Sequence, residues 1–347
     1  MHITGTEQLN AWTAKIMPPV EEVRSGIWSI PVPIPNNPLR YVLAYALESA
    51  KGIVLVDAGW ECEESWDVLV AGLGVVGASP KDVSTILVTH MHPDHYGLVQ
   101  RLREVSDAAV AMHPADAALL AGPAGTVEQM LGNISEFLLD CGMPKENVLE
   151  QREINAGVIP FRDSPPPDML LNDRDIFNLG DSRLRVVWTP GHTPGHICFL
   201  DEERKLLLAG DHVLPRISPN ISLYSMELLN PLSNYLASLA KVGELDVEEV
   251  LPAHEYRFSG LKDRASILNE HHMRRLEEIF QAVNDNPGFN CYEIAETVTW
   301  SRGWDQVQGY MRQAALGETK AHLMYLAAQG KIYSGVGTPQ VWFGFDR

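Results

Sequence analysis

Thr89-His90-Met91-His92-Pro93-Asp94-His95-Tyr96-Gly97 follows directly on the apolar run Ser84 to Val88. Four groups able to ligate a metal thus fall within six positions, where a buried strand should end. In an extended segment, residues two apart project to the same side, so the imidazoles of His90 and His92 can converge on one ion. Asp94 and His95 come as the chain turns, and aim a carboxylate and a third imidazole at an adjacent position. One short segment can therefore serve two cations. The chain holds 12 histidines in all, and a polar surface loop is a poor explanation for three of them gathered beside an aspartate.

Short runs rich in Val, Ile and Leu that stop abruptly at Gly, Asp, His or Pro recur along the chain. They are Tyr41 to Leu47, Ile53 to Val56, Ser84 to Thr89, Ala108 to Met112, Leu184 to Thr189, Ile197 to Leu200, Leu206 to Ala209 and Glu249 to Leu251. Such runs read as buried strands meeting loops. Helical patterns lie between them, at Glu64 to Leu73, Thr126 to Cys141 and Leu232 to Val242. Asn230 caps the last of these and Pro231 opens its first turn. The alternation predicts an α/β fold.

On such a scaffold a site is assembled from loops at one edge of a sheet, and three more candidate ligands stand in that position. His192 lies in Thr189-Pro190-Gly191-His192-Thr193-Pro194-Gly195-His196, where prolines and glycines fix a tight backbone. Asp211 follows Leu206-Leu207-Leu208-Ala209-Gly210, and His254 follows Val250-Leu251-Pro252-Ala253. The remaining histidines, His2, His113, His196, His212, His271, His272 and His322, read as structural or exposed. His196 and His212 are the two of these that could support ligands from behind.

The spacing His-x-His-x-Asp-His, then His, then Asp, then His resembles the metallo-β-lactamase superfamily, with a glyoxalase II or lactonase-like core over roughly Ile27 to Tyr256. The resemblance implies a four-layer αβ/βα sandwich with two metals at one edge between the sheets. It implies that His90, His92 and His192 bind the first metal, that Asp94, His95 and His254 bind the second, and that Asp211 bridges them. Asp57, in Val54-Leu55-Val56-Asp57-Ala58-Gly59, matches a family aspartate that supports the site without ligating. Zinc is the expected metal, with iron or manganese as alternatives. In one departure from the family, the last ligand sits in Pro252-Ala253-His254-Glu255, where many members carry glycine before and after the histidine. Glu255 would then place an anion beside the site.

From about Ser266 the pattern changes to a long amphipathic helix to roughly Val283, the turn Asn286-Pro287-Gly288, two shorter helical segments and a hairpin near Ile332 to Phe343. Three helices and a hairpin suggest a winged-helix-like domain over residues 266–347, after a catalytic domain over residues 1–265. The tail resembles an extension found on one branch of the superfamily, which includes hydrolases and some single-stranded RNA nucleases. It carries seven basic against nine acidic residues, and a DNA-reading winged helix is normally basic. The segment Asn155 to Asp181, with Ser164-Pro165-Pro166-Pro167, reads as a long loop.

The formal net charge of -18, from 27 basic and 45 acidic residues, repels polyphosphate and argues against nucleic acid as a partner. Cys62, Cys141, Cys198 and Cys291 form no CxxC pair, so neither a disulfide framework nor a cysteine zinc site is expected. The first residues lack a signal-peptide pattern and no apolar stretch reaches the ~20 residues of a membrane span, so the expected setting is cytoplasmic. A homodimer would cover exposed apolar residues of the tail such as Trp300, Trp304 and Tyr310.

Two cations held together would supply a bridging hydroxide at neutral pH. The expected reaction is hydrolysis of a small acyl compound, an ester, lactone or thioester, with Asp94 shuttling the proton. The alternatives are a phosphodiesterase or ribonuclease acting on single-stranded nucleic acid, and an iron-dependent redox enzyme on the same ligands. Tyr96, Tyr224 and Tyr256, with Phe161 and Phe177, are the candidate walls of a substrate pocket.

Overall fold

The computed structural model describes residues 1–120, 127–156, 166–180, 182–223 and 230–345. Among these, the strands are β1 (His2–Ile3), β2 (Glu21–Arg24), β3 (Ile27–Pro33), β4 (Tyr41–Ser49), β5 (Gly52–Val56), β6 (Val83–Leu87), β7 (Ala109–Met112) and β8 (Met169–Leu170). They continue as β9 (Ile176–Asn178), β10 (Arg183–Trp188), β11 (Ile197–Asp201), β12 (Leu206–Gly210), β13 (Glu249–Pro252), β14 (Phe258–Ser259), β15 (Ile332–Ser334) and β16 (Trp342–Gly344). The helices are α1 (Thr6–Ala14), α2 (Glu63–Val76), α3 (Pro93–Tyr96), α4 (Val99–Val105), α5 (Pro114–Leu120) and α6 (Val127–Asp140). After them come α7 (Lys145–Ala156), α8 (Pro231–Gly243), α9 (Leu261–Asp285), α10 (Cys291–Thr297) and α11 (Tyr310–Ala328).

Two mixed seven-stranded sheets carry the site, in the orders β2-β3-β4-β5-β6-β7-β8 and β1-β14-β13-β12-β11-β10-β9. Their packing follows from the period of two in a strand. On β4, Tyr41, Leu43, Tyr45 and Leu47 face one way, into a cluster with Leu184, Val186, Ile197, Phe199, Leu206, Leu208 and Leu251 of the second sheet. Val42, Ala44 and Ala46 face the other way, into a cluster with Leu69 and Leu73 of α2, Val99 and Leu102 of α4, and Ala117 of α5. One core therefore lies between the sheets, and another between the first sheet and its helices. Each large apolar side chain so buried contributes about 1.5–3 kcal/mol.

Strand direction places the functional loops. β5, β6 and β7 are parallel neighbours in the register Val56↔Leu87↔Ala111, so the residues after them emerge on one edge. These are Asp57, the His90 segment and the His113–Asp116 turn. In the second sheet β12 and β13 are parallel with Leu208↔Leu251, which brings out Asp211 beside His254.

The expected strands and helices appear within a few residues of their predicted ends, and Asn230 does cap α8 through Ser233 N, 3.0 Å away. β2 and β3 are additions to the expected set, because Pro31 and Pro33 argue against a strand. β2 pairs only with Ile27, Trp28 and Ser29, so both prolines fall beyond its reach and face β4 from an otherwise open edge. The predicted loop from Asn155 to Asp181 is not loop throughout. It contains β8, which extends the first sheet beside β7, and β9, which pairs with β10.

The chain divides into two compact units. One comprises Met1–Gly122, Phe161–Pro219 and Ser238–Ser266, and holds both large sheets. The other comprises Pro123–Pro160, Asn220–Ala237 and Ile267–Arg347, so it takes in two segments from earlier in the chain as well as the C-terminal stretch. Within it, Asn290 and Glu293 form a reciprocal cap on α10, β15 pairs with β16, and buried Lys320 reaches Asp140 at 2.8 Å. His272 and His322 meet in its core, Nδ1 to Nε2, at 3.2 Å.

Candidate metal centre

The seven residues singled out by spacing converge. Nε2 of His90 and Nε2 of His192 each lie 3.0 Å from Nδ1 of His92, and Asp211 Oδ2 is 3.4 Å from His192 Nε2. Beside this group, His254 Nε2 lies 3.4 Å from Asp94 Oδ2 and 3.2 Å from Asp211 Oδ1. His95 Nε2 lies 3.7 Å from Asp94 Oδ2 and 3.6 Å from Asp211 Oδ1. The two oxygens of Asp211 therefore face two different clusters, three imidazoles on one side and two imidazoles with a carboxylate on the other.

Hydrogen bonds behind the rings decide which nitrogens are bare. His95 Nδ1 donates to Asp57 Oδ2 at 2.7 Å, and His254 Nδ1 donates to the Tyr41 carbonyl at 2.9 Å. Thr89 Oγ1 gives its proton to Asp57 and accepts from His90 Nδ1, at 2.9 and 3.1 Å. In each ring the proton is held on Nδ1 and the Nε2 lone pair faces inward. Asp57 holds this position in the left-handed region, at φ 61°, a conformation that aspartate tolerates better than most residues.

These atoms fit cations. His95 Nε2, His254 Nε2 and Asp211 Oδ1 are buried and have no hydrogen-bond partner, an arrangement that is costly in a folded interior unless an ion takes the lone pairs. Nitrogen and carboxylate donors suit zinc, iron or manganese. The clusters are a dinuclear metal site.

The electrostatics differ between the two sides. Burial and the neighbouring imidazoles hold His90 well below its usual pKa and bring His92 down to about 3. Burial would lower His95 too, but Asp57, Asp94 and Asp211 override it and raise the ring to about 9. His254 is likewise raised against its burial, by Asp211 and Asp94.

Several supports escape sequence reasoning. Asp116, fully buried, accepts from Met91 N at 2.9 Å, Thr193 Oγ1 at 2.8 Å and Gly195 N at 2.6 Å. Burial pushes its carboxyl up to about 6 in spite of these three bonds. Tyr41 and Tyr45 donate to the carbonyls of Glu255 and Pro252, both at 2.8 Å, whereas His196, one of the two histidines expected to support the ligands from behind, does accept from the Asp211 amide at 3.1 Å. Asp116 stands just past the end of β7, the same position relative to a strand that reveals the ligands. A single aspartate after His113-Pro114-Ala115 carries no spacing signal, so residue order alone does not mark it.

Glu255 is not a bare anion beside the site. It is fully buried, at φ 70°, and its carboxylate takes Arg216 N at 3.1 Å and Arg216 Nε at 2.9 Å. Tyr96 is 2% exposed, inside the cluster between the first sheet and its helices, and Tyr256 is 6% exposed. Such burial leaves little of either ring for a substrate. Phe177 packs against the core between the sheets. Tyr224 and Phe161 lie outside the described residues.

A family model described as the metallo-beta-lactamase superfamily matches residues 37–254, more than half of the chain and a range that includes every residue of the two clusters. The chain belongs to the metallo-β-lactamase superfamily. A crystal structure of a metallo-beta-lactamase family protein from Thermus thermophilus is similar over 93% of this chain and 100% of that one, with a TM-score of 0.77 and 32% identity. A beta-lactamase domain protein from Burkholderia ambifaria is similar over 93% and 94%, with a TM-score of 0.74 and 25% identity. Among curated relatives, an acyl-coenzyme A thioesterase from Gallus gallus is 33% identical over 211 residues, 58% of this chain and 68% of that protein. This metallo-β-lactamase superfamily member has, among the described residues, no helix long and apolar enough to cross a membrane.

Proposed function

We propose that this chain is a zinc-dependent hydrolase of small acyl compounds, cleaving a thioester, ester or lactone. The observation that carries the reading is the sharing of Asp211, one oxygen to each cluster, with no nucleophilic serine or cysteine in the ligand set. His90, His92 and His192 would hold one ion, and Asp94, His95 and His254 the other. When bound, such a pair activates a water at neutral pH and polarises the bond under attack.

The protein's own groups then have defined tasks. Asp57, Thr89 and the Tyr41 carbonyl keep the imidazoles turned inward. Asp94 is the more open of the two inner carboxylates, with a side chain 14% exposed against 9% for Asp211. It is placed to take the proton released by water and return it to the leaving group. The acyl class is supported by the thioesterase name of a relative, and the net charge of -18 disfavours the rival substrate, a nucleic-acid strand with its long run of phosphates. The arrangement of α9, α10, α11 and the β15–β16 hairpin supports reading residues 266–347 as winged-helix-like.

The test is a panel of an acyl-coenzyme A, a p-nitrophenyl ester, a lactone and a phosphodiester, each with and without chelator, on protein whose metal content is measured as purified. Acyl turnover that chelator removes and zinc restores is expected. Turnover of the phosphodiester alone would overturn the substrate class, and iron with redox turnover would overturn the chemistry.

A further inference from the structure

The first cluster takes its ligands from two loops that belong to different sheets. His90 and His92 follow β6 of the first sheet, while His192 sits in the turn between β10 and β11 of the second. The 3.0 Å approach of His192 Nε2 to His92 Nδ1 therefore depends on how the two loops are held against each other. A third segment spans them. Asp116 Oδ2 takes the amide of Met91, which lies between the two histidines, and also the hydroxyl of Thr193, the residue after His192. Its other oxygen takes the amide of Gly195.

The surroundings are built around this carboxylate. A Cβ on Gly195 would stand 2.4 Å from Asp116 N and 2.6 Å from Asp116 Oδ1, so only glycine lets the His192 loop come so close. Three residues earlier, His113 stacks on Trp188 with centroids 5.0 Å apart and planes within 6°. The Trp188 indole donates to the carbonyl of Pro194 at 2.9 Å. The turn from β7 into α5 thus grips Thr193 and Gly195 directly, backs the indole that holds Pro194, and holds Met91 with the same aspartate.

We propose that Asp116 is a positioning residue for the first cation, acting through the backbone of both ligand loops to set the spacing of His90, His92 and His192. All three of its partners are donors. Asparagine at this position keeps the shape but points an N–H at one of them, and the loops part on the side of the first cluster alone. The second cluster depends on the Tyr41 carbonyl behind His254 and on Asp57 behind His95, an aspartate that also reaches His90 of the first cluster through Thr89; none of these contacts involves Asp116, so the second cluster keeps its geometry. The inference rests on assigning those three histidines to one ion, and does not depend on which substrate is cleaved.

The experiment is a zinc titration of metal-stripped protein against a chromophoric chelator, which resolves two successive affinities. Wild type is expected to bind two ions. Asp116→Asn is expected to weaken one of them about tenfold to a hundredfold, in the range seen for groups that orient metal ligands, and to leave the other within about twofold. Asp57→Asn, at a position directly behind His95 and through Thr89 behind His90, should by contrast weaken both ions. Thr193→Ser should bind as wild type while Thr193→Val loses affinity at the same ion as Asp116→Asn. Equal weakening of both ions by Asp116→Asn, or no change in either, would overturn the proposal. A wild type that binds a single ion would overturn the ligand assignment itself. Melting of the metal-free proteins, in which Thr193→Val is expected to keep one cooperative transition lowered only by the loss of a single buried hydrogen bond, separates positioning from loss of fold.

Discussion

In the sandwich unit, His95 and His254 turn bare Nε2 atoms toward the carboxylates of Asp94 and Asp211. In the helical unit, His272 and His322 are just as deeply buried, yet they bond to each other at 3.2 Å, and His322 Nδ1 donates to the Glu318 carbonyl at 2.7 Å. His272 Nε2 is also a buried nitrogen without a hydrogen-bond partner. What differs is the surrounding charge. The sandwich histidines face carboxylates that raise their affinity for any cation, proton or metal. The helical pair is held down first by burial, then for His272 by its histidine neighbours and Arg275, and for His322 by Arg275 and His271. Burial and proximity of imidazoles do not make a metal centre; anionic oxygens between them do.

The comparison can be broken at its centre by Asp211→Ala. Loss of the carboxylate that gives one oxygen to each cluster is expected to reduce bound zinc from two ions to one or fewer and to lower turnover by more than about a hundredfold. Metal analysis and initial rates check this, and two retained ions would contradict the role given to that carboxylate.

The helical pair sharpens it through pH. Burial, the largest cause, and neighbouring cationic groups depress the folded pKa values of His272 to about 2 and His322 to about 3. The stability they confer is therefore fully present above the unfolded value of roughly 6.5 and is lost as pH falls below it. The loss should approach about 1.4 kcal/mol per pH unit for each histidine. Urea unfolding between pH 7 and pH 4 measures it, and His272→Gln, which keeps a donor for His322, should remove one histidine's share of the dependence, up to about 1.4 kcal/mol per pH unit.

Smaller effects test the supports. Asp57→Asn removes the acceptor behind His95 and, through Thr89, behind His90, and should cost each ion about tenfold to a hundredfold in affinity. Tyr41→Phe removes only the hydroxyl bond to Glu255, since His254 uses the Tyr41 carbonyl. It should lower stability by about 1 kcal/mol and leave zinc stoichiometry at two.

Much of this is legible from residue order. Strand ends followed by His, Asp or Gly mark the ligand loops, and parallel neighbours in each sheet bring those ends to one edge. The supports are not legible, because they act through backbone atoms. Asp116 recognises the amides of Met91 and Gly195, and any residue but proline supplies an amide. Glu255 reads as a free charge because its partner, Arg216, lies 39 positions away with no motif joining them. β3 escapes because its prolines are tolerable only where its outer neighbour has already ended.

The placement of the ligands along the chain has a consequence for biosynthesis. A ribosome releases His90, His92, Asp94 and His95 well before His192, Asp211 and His254, and neither cluster is complete within the earlier stretch. A full set of donors for either cluster therefore exists only once residues of both sheets have been made and packed together.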